Sequence, residues 1–98
     1  MLFLLFFVAA DAPEISNPNA VIPKACETSS VNITCAATGN PAPSLSITFG
    51  AGVIKTGSNS IWHYISSLSS ADFGTYKCFA LNTLQTVNVS RVVAKTGM

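Results

Sequence analysis

Few side chains of this 98-residue chain could carry chemistry: three cysteines, Cys26, Cys35 and Cys78, and one histidine, His63. Thiols can form disulfides, ligate metals or act as nucleophiles, and an imidazole can act as a base or a ligand. His63 lies in an apolar stretch, where a lone histidine is far more often a hydrogen-bonded packing residue than a catalyst. The elements that position the cysteines therefore decide which thiol chemistry applies.

Cys78 ends the run Asp-Phe-Gly-Thr-Tyr-Lys-Cys, which reads as a turn followed by a strand. The carboxylate of Asp72 can accept from backbone N–H groups just ahead of it, and Gly74 has no Cβ to obstruct a tight reversal. Tyr76 and Cys78 are two apart, so they share one face of the strand. Far upstream, Cys35 ends the alternating run Val-Asn-Ile-Thr-Cys, which predicts a second strand with its cysteine turned inward.

This pattern resembles the I-set immunoglobulin domain, in which a tyrosine two residues before a cysteine follows an Asp-x-Gly turn and a distant strand carries a second cysteine. The run Cys-x-Ala-x-Gly-x-Pro-x-Pro at 35–43 is similar to the corner between strands B and C of that family. The run Cys-Phe-Ala-Leu-Asn at 78–82 is similar to the end of its strand F. The resemblance extends from Pro13 to about Ala94.

The resemblance implies an all-β, two-sheet antiparallel sandwich with Greek-key connections. It also implies a disulfide between Cys35 and Cys78, closing a loop of about 44 residues, which chain entropy values at roughly 4 kcal/mol. The tyrosine corner would comprise Asp72, Gly74 and Tyr76, with the Tyr76 hydroxyl reaching back to the backbone near Asp72.

The sequence departs from the family at two places. Ile47 stands where strand C normally carries a tryptophan against the disulfide, and we expect Phe49 to recover part of that volume. The glycine that normally follows Asn82 and starts the last hairpin is missing, with Thr-Leu-Gln in its place. The geometry of this hairpin is therefore the least determined part of the prediction.

Alternating apolar and polar residues predict short strands separated by turns. The connection at 50–57, with Gly50, Gly52 and Gly57, is too short for the two additional strands of variable-type domains. The predicted strands are 14–16, 20–24, 29–37, 44–49, 61–67, 75–81 and 86–94.

Trp62 and Tyr64 alternate with His63, and the register set by Ile65 and Leu68 turns His63 inward. Trp62 and Tyr64 are then expected on the outer face of the sheet that carries strands A, B and E, where exposed aromatics are favoured contact residues. The alternative is a register slip that turns both rings into the core, in compensation for the absent tryptophan of strand C.

Cys26 has no partner left within the chain if Cys35 and Cys78 pair. In an oxidising compartment such a thiol is either buried and inert, or joined to another chain by an interchain disulfide or to a further domain outside this sequence. Two glycosylation sequons start at Asn32 and Asn88, and both asparagines are expected to point outward. The sequons carry meaning only if the chain is secreted.

The first ten residues have no polar side chain and are too few to cross a bilayer as a helix. Together with the small residues that follow, they predict a signal peptide over 1–12, cleaved after Ala12, and an immunoglobulin-like domain over 13–98. A truncated gene model or a fragment of a longer precursor is the competing explanation. No second apolar stretch follows, so no membrane span or lipid-anchor tail is expected.

Composition argues against other classes of function. The net charge is +1 and the basic residues are scattered singly, so no nucleic-acid partner is expected. Asp72 has a structural role, while Glu14 and Glu27 lie toward the amino-terminal edge, so no catalytic triad forms around the one histidine. Too few ligands remain for a metal site, and no phosphate loop is present, so neither an enzyme nor a cofactor is expected.

The resulting hypothesis is an extracellular, secreted recognition or cell-adhesion module that binds a protein partner, which could be another immunoglobulin-like domain. Contacts are expected at Trp62 and Tyr64, at the 40–43 corner and at the 81–85 hairpin. One alternative is a structural spacer from a truncated multidomain receptor or matrix protein. Another is a soluble secreted effector or enzyme accessory.

Overall fold

The computed structural model describes residues 10–17 and 21–96. Within them, seven strands form two antiparallel sheets with the orders β1-β2-β5 and β4-β3-β6-β7. The predicted all-β sandwich of immunoglobulin type is confirmed. The strands are β1 (Asp11–Ile15), β2 (Val31–Asn40), β3 (Ser44–Phe49), β4 (Gly52–Ser58), β5 (Ser60–Ile65), β6 (Gly74–Leu81) and β7 (Thr86–Val93).

The core lies between the two sheets and follows the alternation in the sequence. In β2, Ile33 and Cys35 are buried while Asn32 and Thr34 are exposed. Each strand can present only every second side chain inward, so burial falls on the apolar half of each alternating run. The buried apolar residues are Ile15, Ile33, Cys35, Ala37, Leu45, Ile47, Ile61, Leu68, Tyr76, Cys78, Ala80 and Val93.

The segment between β1 and β2 crosses to the other sheet. Ala25 forms a parallel bridge with Lys95, through an N–H bond to the Ala94 carbonyl at 3.0 Å. Beside it, Lys95 and Glu27 form an exposed ion pair at 3.0 Å. A strand was expected over 20–24, but the described residues from Val21 onward form no ladder there; residue 20 lies outside the described residues.

β4 was not expected, because its residues read as a plain connection punctuated by glycine. It pairs with β3 from Ser44 opposite Ser58 to Phe49 opposite Gly52. All seven of its residues are exposed, so it has no buried face and no apolar alternation by which it could be recognised. It lies at the edge of its sheet, where backbone pairing alone is enough to hold a strand.

The amino-terminal strand begins earlier than predicted. β1 starts at Asp11, whose Cα is paired with that of Asn40, so Asp11 and Ala12 of the predicted signal peptide belong to a strand. Residues 1–9 of that segment lie outside the described residues. β5 ends at Ile65, two residues before its expected end, and β2 extends three residues further, to Asn40.

Candidate recognition surface

The disulfide joins the two sheets at the centre of the core. Cys35 on β2 is bonded to Cys78 on β6, with Cα atoms 5.8 Å apart, so the predicted pairing is confirmed. Ile47 is fully buried and lies opposite Cys78 on the neighbouring strand. An aliphatic side chain thus fills the place beside the disulfide that the family gives to tryptophan.

The corner that leads into β6 is held by hydrogen bonds that begin and end at Asp72. The Tyr76 hydroxyl donates to the Asp72 carbonyl at 2.7 Å, while the Asp72 carboxylate accepts from the N–H (2.8 Å) and hydroxyl (3.0 Å) of Ser69. Burial, and then the Asp72 charge, raise the pKa of Tyr76. The neutral phenol is therefore the form that fits this corner.

Packing around the Tyr76 ring accounts for two other residues, Phe49 on β3 and Gly74 in the turn. Phe49 stacks on Tyr76 with ring centroids 4.1 Å apart and an interplanar angle of 10°. A Cβ on Gly74 would lie 3.0 Å from the Phe49 ring, and the φ of Gly74 is +146°. Glycine is therefore required both by backbone conformation and by the packing of Phe49.

The last hairpin, which lacks the family's glycine after Asn82, is held by the side chain of Asn82 itself. Its Oδ1 accepts from the N–H groups of Leu84 at 2.9 Å and Gln85 at 3.3 Å, a local side-chain turn that reverses the chain between β6 and β7. Its Nδ2 donates to the carbonyls of Asp11 at 2.8 Å and Pro41 at 3.1 Å. One nearly buried amide therefore ties together β1, the 40–43 corner and the hairpin.

The outer face of β2 and β5 exposes two aromatic side chains. Trp62 is 57% exposed and Tyr64 is 58% exposed. Asn32 is paired with Tyr64, and Thr34 with Trp62, across the two strands. We call these four residues the aromatic face. The alternative of rings slipped into the core does not hold, because this register turns Ile61 inward and the rings outward.

A second partly apolar surface lies on the outer face of the other sheet. A groove of about 530 Å³ runs along β3 and β6, lined by residues that include Ser46, Phe79 and Leu81. Leu81 is 51% exposed, and Leu84 in the adjacent hairpin is 52% exposed. The 81–85 hairpin singled out in the sequence therefore adjoins this groove and lies on the sheet opposite to the aromatic face.

His63 is half-buried on the inner side of β5, with its ring centroid 6.5 Å from that of Tyr76. Among the residues that the structure describes, no Ser, Asp or Glu side chain is hydrogen-bonded to it. Over residues 10–17 and 21–96, no cluster of three His, Cys, Asp or Glu side chains could hold a metal ion. The half-buried ring of His63 packs toward the ring of Tyr76 in the core.

Cys26 is exposed, so the alternative of a buried, inert thiol is wrong. Its Sγ lies 3.6 Å from the Thr96 hydroxyl, next to the bridge between Ala25 and Lys95. Exposure follows from its place just before β2, outside the alternating core pattern. The intrachain bond between Cys35 and Cys78 gives no support to an interchain disulfide, and the partner of Cys26 remains a prediction.

Both sequon asparagines are exposed. Asn32 lies within the aromatic face, and Asn88 lies on β7 between the half-buried Val87 and Val89. A glycan on Asn32 would project from the three-stranded sheet, and a glycan on Asn88 would project from the four-stranded sheet.

Arg91 is one of the basic residues scattered singly along the sequence, and it is only 4% exposed. Its guanidinium donates to the Asn17 carbonyl at 3.0 Å, anchoring the chain that follows β1. The alternation Val87, Val89, Arg91, Val93 places it on the inner face of β7, so the strand period alone could have identified it.

Comparison with known proteins gives a consistent result. The immunoglobulin domain family model matches residues 12–82. No curated protein matches the chain. Within the described residues, no helix has the length and hydropathy needed to span a bilayer.

Solved structures share the fold at low sequence identity. A structure of Sidekick-1 immunoglobulin domains 1–5 gives a TM-score of 0.73 at 21% identity and covers 89% of this chain and 20% of that one. A complex of Dpr2 Ig1-Ig2 with DIP-Theta Ig1-Ig3 gives 0.70 at 24% identity, covering 88% and 32%. Titin domain M7 gives 0.71 at 19% identity, covering 93% and 100%. This chain therefore spans a small part of the first two and all of the third.

Proposed function

The chain belongs to the immunoglobulin domain family, and we propose that it is an extracellular, non-catalytic recognition or adhesion module that binds a protein partner through its aromatic face. The observation that carries this proposal is the exposure of Trp62 and Tyr64, more than half of each, on the outer face of β5. Tryptophan and tyrosine combine a large apolar area with a polar tip, which makes them the residues that most often dominate binding energy.

The kind of partner is suggested by proteins of similar fold. The Dpr2 and DIP-Theta structure and a titin M10 structure with obscurin-like 1 are each complexes between immunoglobulin-domain proteins. Their identity to this chain is low, so they support only the class of partner. The 40–43 corner and the 81–85 hairpin, joined through Asn82, would supply a second contact surface at one end of the sandwich.

The test is a binding assay of the full chain against a panel of purified immunoglobulin-domain ectodomains, with the chain itself included. We expect binding that Trp62→Ala weakens about thirtyfold or more, the loss typical of a central aromatic contact. The matched control is Val53→Ala, which removes a similarly exposed apolar side chain on β4, outside both proposed contact surfaces. The thermal midpoint of Trp62→Ala should stay close to that of the parent chain.

Two results would overturn the proposal. One is that no ectodomain in the panel, the chain itself included, binds. The other is that binding is unchanged by Trp62→Ala.

Glycosylation at Asn32 and Asn88 is part of the same proposal, since it requires secretion. Asn32 is paired with Tyr64, so a glycan there would cover part of the aromatic face. Treatment of the secreted protein with an N-glycosidase should lower its mass by two glycans, and Asn32→Gln and Asn88→Gln should each remove one. A secreted chain of unmodified mass would contradict it.

The second candidate function is that of a spacer domain in a longer protein. The observation favouring it is that the chain matches only 20% of a five-domain Sidekick-1 fragment, so domains of this size occur in series. Sequencing of the full transcript would show whether further domains adjoin this one. The exposed Cys26 could then bond to a neighbouring chain or domain, which non-reducing electrophoresis would reveal as a band of higher mass.

A further inference from the structure

β5 has one edge that no other strand covers among the described residues, since it ends the order β1-β2-β5. The Asn59 carbonyl accepts from the Ala37 N–H at 3.1 Å, which fixes the direction of the backbone groups along β5. Peptide groups alternate along a strand, so residues 59, 61, 63 and 65 bond toward β2. The N–H and carbonyl groups of Ser60, Trp62 and Tyr64 therefore point outward, away from β2.

This edge lacks the features that keep strands from pairing between molecules. Exposed edges are usually protected by charge, proline or a bulge. β1, at the other edge of the same sheet, carries Pro13 and two acidic residues and has an irregular register. β5 has the sequence SIWHYI, with no charged residue and no proline, and it pairs with β2 without a register shift.

The sequence of β5 is also complementary to itself. Around His63 it reads Ile-Trp-His-Tyr-Ile, which is nearly the same in both directions. In an antiparallel pair of two copies with a two-fold axis at His63, Trp62 lies opposite the second copy's Tyr64 and Ile61 lies opposite the second copy's Ile65. The residues that meet in this way are aromatic with aromatic and aliphatic with aliphatic.

The backbone permits the same register. Trp62 and Tyr64 are the residues whose N–H and carbonyl groups face outward, so each Trp62–Tyr64 pair between copies would be a hydrogen-bonded pair. A register displaced by one residue would place outward-facing groups opposite inward-facing ones. A register that pairs Trp62 with the second copy's Trp62 would pair Tyr64 with Ser60 and break the aromatic match.

We propose that two copies of this chain associate through antiparallel pairing of their β5 edges about His63, joining two three-stranded sheets into one six-stranded sheet. The rings of Trp62 and Tyr64 from both copies then form one continuous row on its outer face. This inference rests on the proposed recognition role of the aromatic face and names its partner as a second copy.

The contact between the two β5 strands is small, and this limits the affinity of the dimer. About seven residues from each copy take part, against 20 to 30 per partner in a standard interface, so the dimer belongs among weak and reversible ones. No charged residue lies between Ser60 and Ser67, so the paired strands place no like charges opposite each other. Lys55 of β4, which lines a cavity with Ser60 and Trp62, is a positive charge beside the start of the edge.

Analytical ultracentrifugation of the full chain tests the association. The background is Cys26→Ser with Asn32→Gln, which removes dimers linked through Cys26 and any glycan beside Tyr64. We expect a concentration-dependent monomer–dimer equilibrium. Trp62→Lys with Tyr64→Lys places lysine opposite lysine twice, so the dissociation constant should rise at least about tenfold.

The matched control is Val53→Lys with Val92→Lys, which makes the same change in charge on two similarly exposed apolar side chains of the other sheet, outside the proposed contact surfaces. It should leave the dissociation constant unchanged. A third variant, Trp62→Glu with Tyr64→Lys, places glutamate opposite lysine only in the proposed register. At low salt it should dimerise more strongly than the double-lysine variant.

Cross-linking tests the register directly. Trp62→Cys and Tyr64→Cys chains, mixed and oxidised, should form a disulfide-linked dimer, because Cα atoms in a hydrogen-bonded antiparallel pair are about 5.5 Å apart. Either variant alone should cross-link far more slowly, since the identical positions lie diagonally, about 7–8 Å apart.

Three results would overturn the pairing: a chain that is monomeric up to about 1 mM, a dimer weakened equally by the control pair of lysines, or single variants that cross-link as fast as the mixture. If such a chain still bound another ectodomain in a manner dependent on Trp62, the recognition role would stand and only the self-pairing would fail. If no binding depended on Trp62, both would fail.

Discussion

Asn82 connects three separate parts of the fold. Its amide accepts two hydrogen bonds within the hairpin and donates two to the carbonyls of Asp11 and Pro41. Hydrogen bonds of buried groups contribute about 1 kcal/mol each, and a partner left unsatisfied inside the protein costs more.

We therefore expect Asn82→Ala to lower the free energy of unfolding by about 3 kcal/mol. Asn82→Asp should cost at least as much at neutral pH, because a carboxylate oxygen would replace the amide N–H groups that face two carbonyls. Urea unfolding measures both. Thr83→Ala, an exposed change in the same loop, is the control and should stay within about 0.5 kcal/mol of the parent chain. A loss below about 1 kcal/mol for Asn82→Ala would contradict this role.

Tyr76 predicts how stability depends on alkaline pH. Burial and the Asp72 charge raise its pKa in the folded state above the ordinary value of 10.0. Above that value the unfolded chain loses the phenol proton while the folded chain keeps it, so the folded state binds more protons and stability falls as pH rises. The contribution is complete below about pH 10 and is lost as pH passes through the raised pKa.

Tyr76→Phe should remove this part of the pH dependence. At pH 8 we expect a loss of about 1 kcal/mol from the missing hydrogen bond to the Asp72 carbonyl. Between pH 9.5 and 11 the unfolding free energy of the variant should decline less steeply than that of the parent chain. The unfolding free energies are measured by urea titration at each pH. If they fell equally with pH for the two proteins, the pKa of Tyr76 would not differ between the folded and unfolded states.

β2 and β6 are the two strands that a covalent bond joins across the core. They belong to different sheets, and the bond between Cys35 and Cys78 spans 43 positions of sequence. Cross-linking residues so far apart removes conformational freedom mainly from the unfolded chain.

Replacing both cysteines by alanine should lower the unfolding free energy by about 4 kcal/mol, a large share of what a domain of this size has. Urea unfolding of the double variant, and of the parent chain with and without reductant, measures it. Cys26→Ser serves as the control, because that thiol is exposed and outside the core. Equal stability of the oxidised and reduced parent chains would contradict the expectation.

The strands also differ in how well their edges are protected. β1 carries proline and acidic residues, and the end of β7 is bordered by the bridge between Ala25 and Lys95. β5 has neither kind of protection. Because only the edge of β5 lacks such protection among these three strands, we expect β5 to be the strand that pairs with another chain.

In the whole molecule, the predicted signal peptide, residues 1–12, overlaps the first two residues of β1. Cleavage after Ala12 would remove Asp11, which pairs with Asn40 and whose carbonyl accepts from Asn82. The prediction from the small residues of the sequence is nevertheless a mature chain that starts at Pro13.

Mass spectrometry of the secreted product decides the site. A first residue of Pro13 supports cleavage after Ala12, and the Asn82→Ala loss measured on that product should then be smaller by about 1 kcal/mol. A first residue of Asp11 would contradict the predicted site and would keep the hydrogen bond from Asn82. Expression of the full chain and of a chain starting at Pro13, compared by urea unfolding, gives the cost of losing Asp11.

Much of this protein follows from local pattern. The inward alternation of Val31, Ile33 and Cys35, the turn at Asp72 and the outward placement of Trp62 all depend on residues within a few positions of one another. Strand alternation fixes which side chains share a face, and the cysteines then determine which faces meet. The fold class, the disulfide and the corner at Tyr76 were therefore accessible from the sequence, through the resemblance of these patterns to the immunoglobulin family.

Other features depend on contacts between distant segments, which no local pattern encodes. β4 is held by backbone pairing with β3 and has no buried face, so its side chains carry no signal of a strand. Asn82 acts through carbonyls of residues 11 and 41, and Arg91 through the carbonyl of residue 17, which only the packed chain brings within reach. The uncovered edge of β5 is likewise a property of strand order, because an edge exists only once the neighbours of every strand are known.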